Sequence, residues 1–155
     1  MSTECARIAD QVRFAFSGDA WYGPNLRTSL TDVTAEQARA RPLAAVHSIW
    51  ELLLHIDLWA DIAFRAAAFG IEMPKLYGTE KDWTTPFTGS EDEWAAAQAH
   101  LFETAERLAE TIEAFPDERL GDIVPGREYD FYYLFHGVVQ HSVYHAGQIA
   151  LLKRS

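Results

Sequence analysis

The chain has 155 residues, enough for one ordinary domain and one core, and its 48% hydrophobic and 23% charged content is that of a folded globular protein, not a disordered one. Thirteen basic against 23 acidic residues give a net charge of −10, which repels phosphate backbones and anionic lipid and predicts no nucleic-acid or membrane partner. A single cysteine, Cys5, excludes an internal disulfide and fits a reducing compartment.

Read in chain order, the first ten residues include Glu4 and Asp10 and lack the basic start and apolar run of an export signal, so a cytoplasmic location is expected. The first helix is predicted from Thr3 to Ser17 on the stripe Ile8, Val12 and Phe16, with Gly18 ending it. Trp21 to Pro24 form a turn, and short helical pieces follow at Leu26 to Leu30 and after Thr34, where Gln37 completes a capping-box spacing before Pro42. A second long helix starts at the Ser48 and Glu51 capping box and runs to Phe69, with Gly70 as its stop. Its inward stripe is Leu52, His55, Ile56, Trp59, Ile62, Ala63 and Ala66, and Asp57, Asp61 and Arg65 form a solvated charge row on another face. The apolar run around Leu52 to Phe64 is interrupted by His55, Asp57 and Asp61 and is too short to span a bilayer.

Residues 71–89 hold Pro74, Gly78, Pro86 and Gly89 with no sustained period, and so long a connection is a candidate wall over a pocket. Ser90 and Glu93 read as another capping box, opening a third helix to about Phe115 with Trp94, Leu101, Leu108 and Ile112 inward. After Pro125 and Gly126 a fourth helix is predicted from Asp130 to Lys153, with Leu134, Val138, His141, His145, Ile149 and Leu152 on one stripe. Four long helices without a strand period or an internal repeat predict an all-α fold, a four-helix bundle with short extra helices, as a single domain over residues 1–155.

The chemistry is carried by histidine. His141 and His145 are one helical turn apart on an inward face, close enough to share a cation, and His55 occupies a core position of another long helix. Three imidazoles in one small core would each need a separate hydrogen-bond partner, whereas one divalent cation satisfies all three. His55, His141 and His145 are therefore the expected metal ligands. His47 precedes the cap and is assigned to a loop or pocket rim, His136 lies on the opposite side of its helix from His145, and His100 is placed on the surface. The inward glutamates and the E-x-x-H spacing of a dimetal bundle are missing, as are H-E-x-x-H and a glycine-rich phosphate loop, and Cys5 has no evident reactive setting. Trp50, Trp59 and Trp94, at helical spacing, are read as core. Glu51 and Gln148 are candidates to hold the outer ring nitrogens, and Tyr144 is either a pocket-mouth residue or a packing aromatic.

The stretches HSIWELLLHIDLW (47–59) and QHSVYHAGQIALLKR (140–154) resemble the DinB/YfiT-like metalloenzymes, and WYGPNL (21–26), Asp82-Trp83 and His136-Gly137 match in order and approximate spacing. The resemblance covers nearly the whole chain and implies a four-helix bundle, often a homodimer, in which His55, His141 and His145 bind a divalent metal. Many relatives carry an acidic residue where this chain has Ser142. The resemblance also implies transfer of a low-molecular-weight thiol cosubstrate to a small-molecule electrophile. Metal-dependent hydrolysis or isomerisation at the same centre is the alternative, and a non-catalytic bundle that binds metal or a small ligand is a third reading. Three neutral imidazoles would leave the cation its full charge and an open position; zinc suits that ligand set best, with nickel, iron and manganese sharing the same ligand types.

Overall fold

The computed structural model describes residues 3–43 and 45–154; Met1, Ser2, Ala44 and Ser155, which the single-domain expectation includes, lie outside the described residues. The described residues form six α-helices: α1 (Glu4–Phe16), α2 (Leu26–Leu30), α3 (Ala35–Arg39), α4 (Ile49–Phe69), α5 (Glu91–Glu113) and α6 (Phe131–Leu152), with single 3₁₀ turns at Glu80–Asp82 and Asp117–Arg119. The fold is all-α, as the sequence predicts, and the described residues contain only an isolated Ile123–Asp130 bridge. No described helix is long and apolar enough to cross a membrane.

The helix starts follow from local chemistry. Thr3, Asn25, Thr34, Ser48, Ser90 and Asp130 each accept a hydrogen bond from the backbone two or three positions into their helix, satisfying donors that the helix itself cannot. The Thr34–Gln37 and Ser48–Glu51 capping boxes are both complete. The one expected at Ser90 and Glu93 is only half formed: Ser90 Oγ accepts from Glu93 N–H, but the Glu93 carboxylate turns back to accept from Phe87, Thr88 and Gly89. Three backbone donors and the Thr88 hydroxyl outbid the single N–H that a capping box offers, and they hold Glu93 down at about 2. Gly70 ends α4 in the left-handed conformation, φ 64°, where a side chain would be strained.

The four long helices form a ring in which α4 and α1 each pack against both α5 and α6, with α2 on α6 and α3 on α4. Contacts along α4 and α5 advance together: Trp50 meets Trp94 at 5.0 Å, Asp57 bonds His100 at 2.8 Å, and Arg107 lies over Phe64 at 4.3 Å. These two neighbours therefore run parallel. A tight turn cannot join parallel helices, so residues 70–90 must travel back along α4, whose 21 residues span about 31 Å. That is the physical reason for the long connection, and it carries Asp82 and Trp83 over the middle of α4. By contrast α1 runs against α5, since the Asp117 carboxylate caps the N–H groups of Glu4 and Cys5 while Arg13 reaches Glu106 and Glu113. The hydrogen bond from Met73 N–H to Pro125 O, 3.0 Å, ties the end of α4 to the approach of α6, so those two helices are antiparallel.

One hydrophobic cluster unites the bundle, with Trp50, Trp94, Phe16 and Phe135 among its largest fully buried side chains. Trp59, read from spacing as core, is only half-buried and faces a cavity instead. Asp57, assigned to a solvated row, turns its carboxylate toward His100 on α5, whereas Asp61 and Arg65 do pair at the surface, 3.6 Å apart.

Candidate metal centre

His55 comes from the middle of α4, and His141 and His145 come from successive turns of α6. The antiparallel packing of these helices brings all three rings together. His141 Nε2 lies 3.1 Å from His55 Nε2 and 3.1 Å from His145 Nε2, and all three ligand atoms fall within 4.8 Å of one another. His55 and His145 are each 6% exposed.

The outer nitrogens decide which way the lone pairs point. His55 Nδ1–H donates to the backbone carbonyl of Asp82 at 2.8 Å, and His145 Nδ1–H donates to Gln148 Oε1 at 2.7 Å. With their protons held there, both rings turn an unprotonated Nε2 toward His141. A neutral His141 can supply one proton at most, so a lone pair would face a lone pair across about 3.1 Å on the other side. Protonation is not the way out. Burial, and then the neighbouring His145 and His55, push His141 down to about 3, and burial also lowers His145 against the opposing effect of Gln148. His141 and His145 are thus held neutral, and the three convergent nitrogens lack a positive partner between them. A tetrahedral metal with nitrogen ligands at 2.0–2.1 Å sets those nitrogens ~3.3 Å apart, so the residues fit a divalent cation.

The 71–89 connection supplies the surrounding wall. Trp83 is stacked between His47, with ring centroids 3.5 Å apart, and His55, at 3.9 Å, both nearly parallel to it. Asp82 is buried; its carboxylate accepts from Trp59 Nε1–H at 2.9 Å and lies 3.4 Å from His55 Nδ1. The orientation of His55 is therefore fixed by a segment some 27 residues away in sequence. Beside the histidines opens a cavity of about 790 Å³, walled by Met73, Tyr77, Asp82 and Trp83 from the connection, by Leu52 and Trp59 from α4, and by Tyr133, Gly137, Val138 and Tyr144 from α6.

His47, placed on the rim by its position before the cap, does line this cavity. Tyr144 lines it as well, exposed at its outer side and packed edge-on against His145 at 5.0 Å. Gln148 holds an outer ring nitrogen as expected, but Glu51 does not. Its carboxylate accepts from Ser48 N–H at 2.8 Å and pairs with Arg41, because the capping position aims it at the helix start and away from the ligand face. His136 packs against Tyr132, and His100, although exposed, is bonded to Asp57. Cys5 is buried and its thiol is pushed up to about 12 by burial and by Asp117, so it is no nucleophile. Sequence reasoning assigned no role to Asp82 or Trp83; only their adjacency as an Asp-Trp pair within the long connection was visible.

These features define a helical bundle with a three-histidine group, able to hold a metal ion, at the side of a large cavity. The DinB superfamily family model matches residues 23–149, and the chain belongs to that superfamily. No curated protein and no solved structure gives a significant match to it.

Replacing Gln148 by leucine removes the acceptor for His145 Nδ1–H while keeping the helix. The expected result is a 10- to 100-fold loss of zinc affinity, the usual cost of an outer-shell partner, read by competition with a chromogenic chelator.

Proposed function

We propose that this chain is a metal-dependent enzyme in which His55, His141 and His145 hold a divalent cation, zinc by preference, and that it transfers a low-molecular-weight thiol to a small electrophile. The observation that carries the metal reading is the convergence of three histidine Nε2 atoms beside a cavity. When bound, the cation supplies a Lewis acid that acidifies a thiol placed on its open side. The chain's own residues do the rest. Asp82 and Gln148 keep the rings aimed, Trp83 packs over His55 and keeps water from that face, and the aromatic walls offer an apolar bed to a substrate.

A volume of about 790 Å³ accommodates a thiol and an electrophile together, within the range of small-molecule sites. In the transfer the sulfur gives up its proton to solvent and bonds to the electrophilic carbon; the displaced electron pair leaves with the halide of an alkyl halide, or stays on the ring oxygen of an epoxide or the neighbouring carbon of an activated alkene, which then takes up a proton. The thiol itself is supported by the superfamily resemblance, and so is the homodimer; the cytoplasmic setting that completes this reading is supported by the acidic residues at the start of the chain.

The test is thiol consumption by zinc-loaded and chelator-stripped protein against alkyl halides, epoxides and activated alkenes, run beside ester and amide hydrolysis. Metal-dependent loss of thiol with one electrophile class supports the proposal. Turnover of esters or amides alone would replace it with metal-dependent hydrolysis, and metal binding without turnover in either panel would leave a non-catalytic binding protein.

A further inference from the structure

A second cavity, of about 560 Å³, adjoins the first and shares Trp59, Tyr77 and Tyr129 with it; its remaining lining is Lys75, Gly126, Arg127 and Glu128. Arg127 is set apart by what holds it: Arg27 and Arg107 lie over aromatic rings, whereas Arg127 is held by backbone carbonyls. Other arginines, such as Arg7, Arg13, Arg41, Arg65 and Arg119, pair with carboxylates. Among the described residues no carboxylate lies within ion-pair distance of Arg127. Its guanidinium is instead fixed by backbone carbonyls: Nη1 donates to Met73 and Gly126, both at 2.9 Å, and Nη2 to Pro74 at 2.7 Å.

A guanidinium has five N–H donors, and three are used here. The two left over are on Nε and Nη2, adjacent nitrogens of the kind that grip a carboxylate in a fork. Three carbonyls orient the group without cancelling its charge, so the ordering cost is met before any ligand arrives. Lys75 adds a second cation to the lining against one acid, Glu128, and it too lacks a carboxylate partner among the described residues. Glu72 also lies against Gly126, so Lys75 and Arg127 are balanced by two acids, and what favours an anion here is the fixed pair of free donors on Arg127.

Trp59 links the two spaces. Its ring centroid is 6.4 Å from that of His55, and it lines both cavities. We propose that the second cavity is a carboxylate subsite, formed by Arg127 and Lys75, that anchors the tail of the thiol cosubstrate while its sulfur reaches the histidines across Trp59. The cosubstrate class is then a carboxylate-bearing thiol long enough to lie in both cavities. This inference rests on the thiol-transfer reading for the identity of the ligand, but the subsite itself does not depend on a metal.

Binding of S-methylglutathione, which has no free thiol, is compared with that of its diethyl ester by calorimetry, on chelator-stripped and zinc-loaded protein. The acid is expected to bind at least 10-fold tighter than the ester in both forms. Arg127→Gln should abolish that preference, and Lys75→Gln, at an exposed side chain, should reduce it about threefold without altering the thermal unfolding midpoint. Equal affinity for acid and ester, no measurable binding of the acid at millimolar concentration, or a preference that survives both substitutions would overturn the subsite. Free glutathione gaining affinity on zinc loading while S-methylglutathione does not reads the metal reading separately, so either can fail alone.

Discussion

His141→Ala is expected to lower zinc affinity by at least ~100-fold and to remove metal-dependent activity, while the stripped protein stays folded. The size follows from the geometry. His141 Nε2 is the atom shared by both 3.1 Å approaches, so its loss removes a direct ligand, which exceeds the 10- to 100-fold effect of an outer partner such as Gln148. The fold should survive because the ring is a partly exposed member of the cavity wall and not a core side chain. His55→Ala and His145→Ala should match it in affinity and cost more stability, since both rings are buried. Competition titration with a chelator measures the first effect and urea unfolding the second. Unchanged affinity in any one of the three variants would remove that residue from the ligand set.

The second large effect is a pH dependence of the metal-free protein. His141 ordinarily titrates near 6.5 and is pushed down to about 3 in the folded chain, with His145 lowered as well. Between those values the unfolded chain binds protons that the folded chain refuses, so stability rises with pH through this window and falls as pH drops from about 6.5 toward 3. Chelator-stripped protein should therefore unfold at clearly lower urea concentration at pH 5 than at pH 7.5. In His141→Ala the difference should shrink. A flat profile in stripped wild-type protein would mean that the imidazoles are not held neutral by burial. With zinc present the slope should steepen, because protons and metal then compete for the same nitrogens.

The bundle was legible because its signals are local. Capping residues at Thr34 and Ser48, Gly70 after the last apolar turn, and three- and four-residue spacing each fix a helix without reference to the rest of the chain. The histidine triad was legible for a related reason: a buried stripe tells which way a side chain faces, and three polar rings on such stripes conflict with an apolar core. What could not be read are the contacts that depend on how helices are arranged. That α4 and α5 run parallel, forcing residues 70–90 back over α4, is set by tertiary packing, and without it nothing brings Asp82 and Trp83 to His55. Glu51 was misassigned for the same reason that its helix start was found: the capping box that identifies it also spends its carboxylate. Glu93 shows the reverse, where a matching spacing is overruled by three nearby backbone donors. The guanidinium of Arg127 belongs to this class too, since its partners at Met73 and Pro74 lie more than 50 residues away.

X-ray absorption at the zinc edge of the loaded protein tests the metal centre most directly. Three imidazole nitrogens at about 2.0–2.1 Å, falling to two in His141→Ala, are the predicted result. A shell of oxygens alone, or a spectrum identical in wild type and in a variant lacking all three histidines, would contradict it.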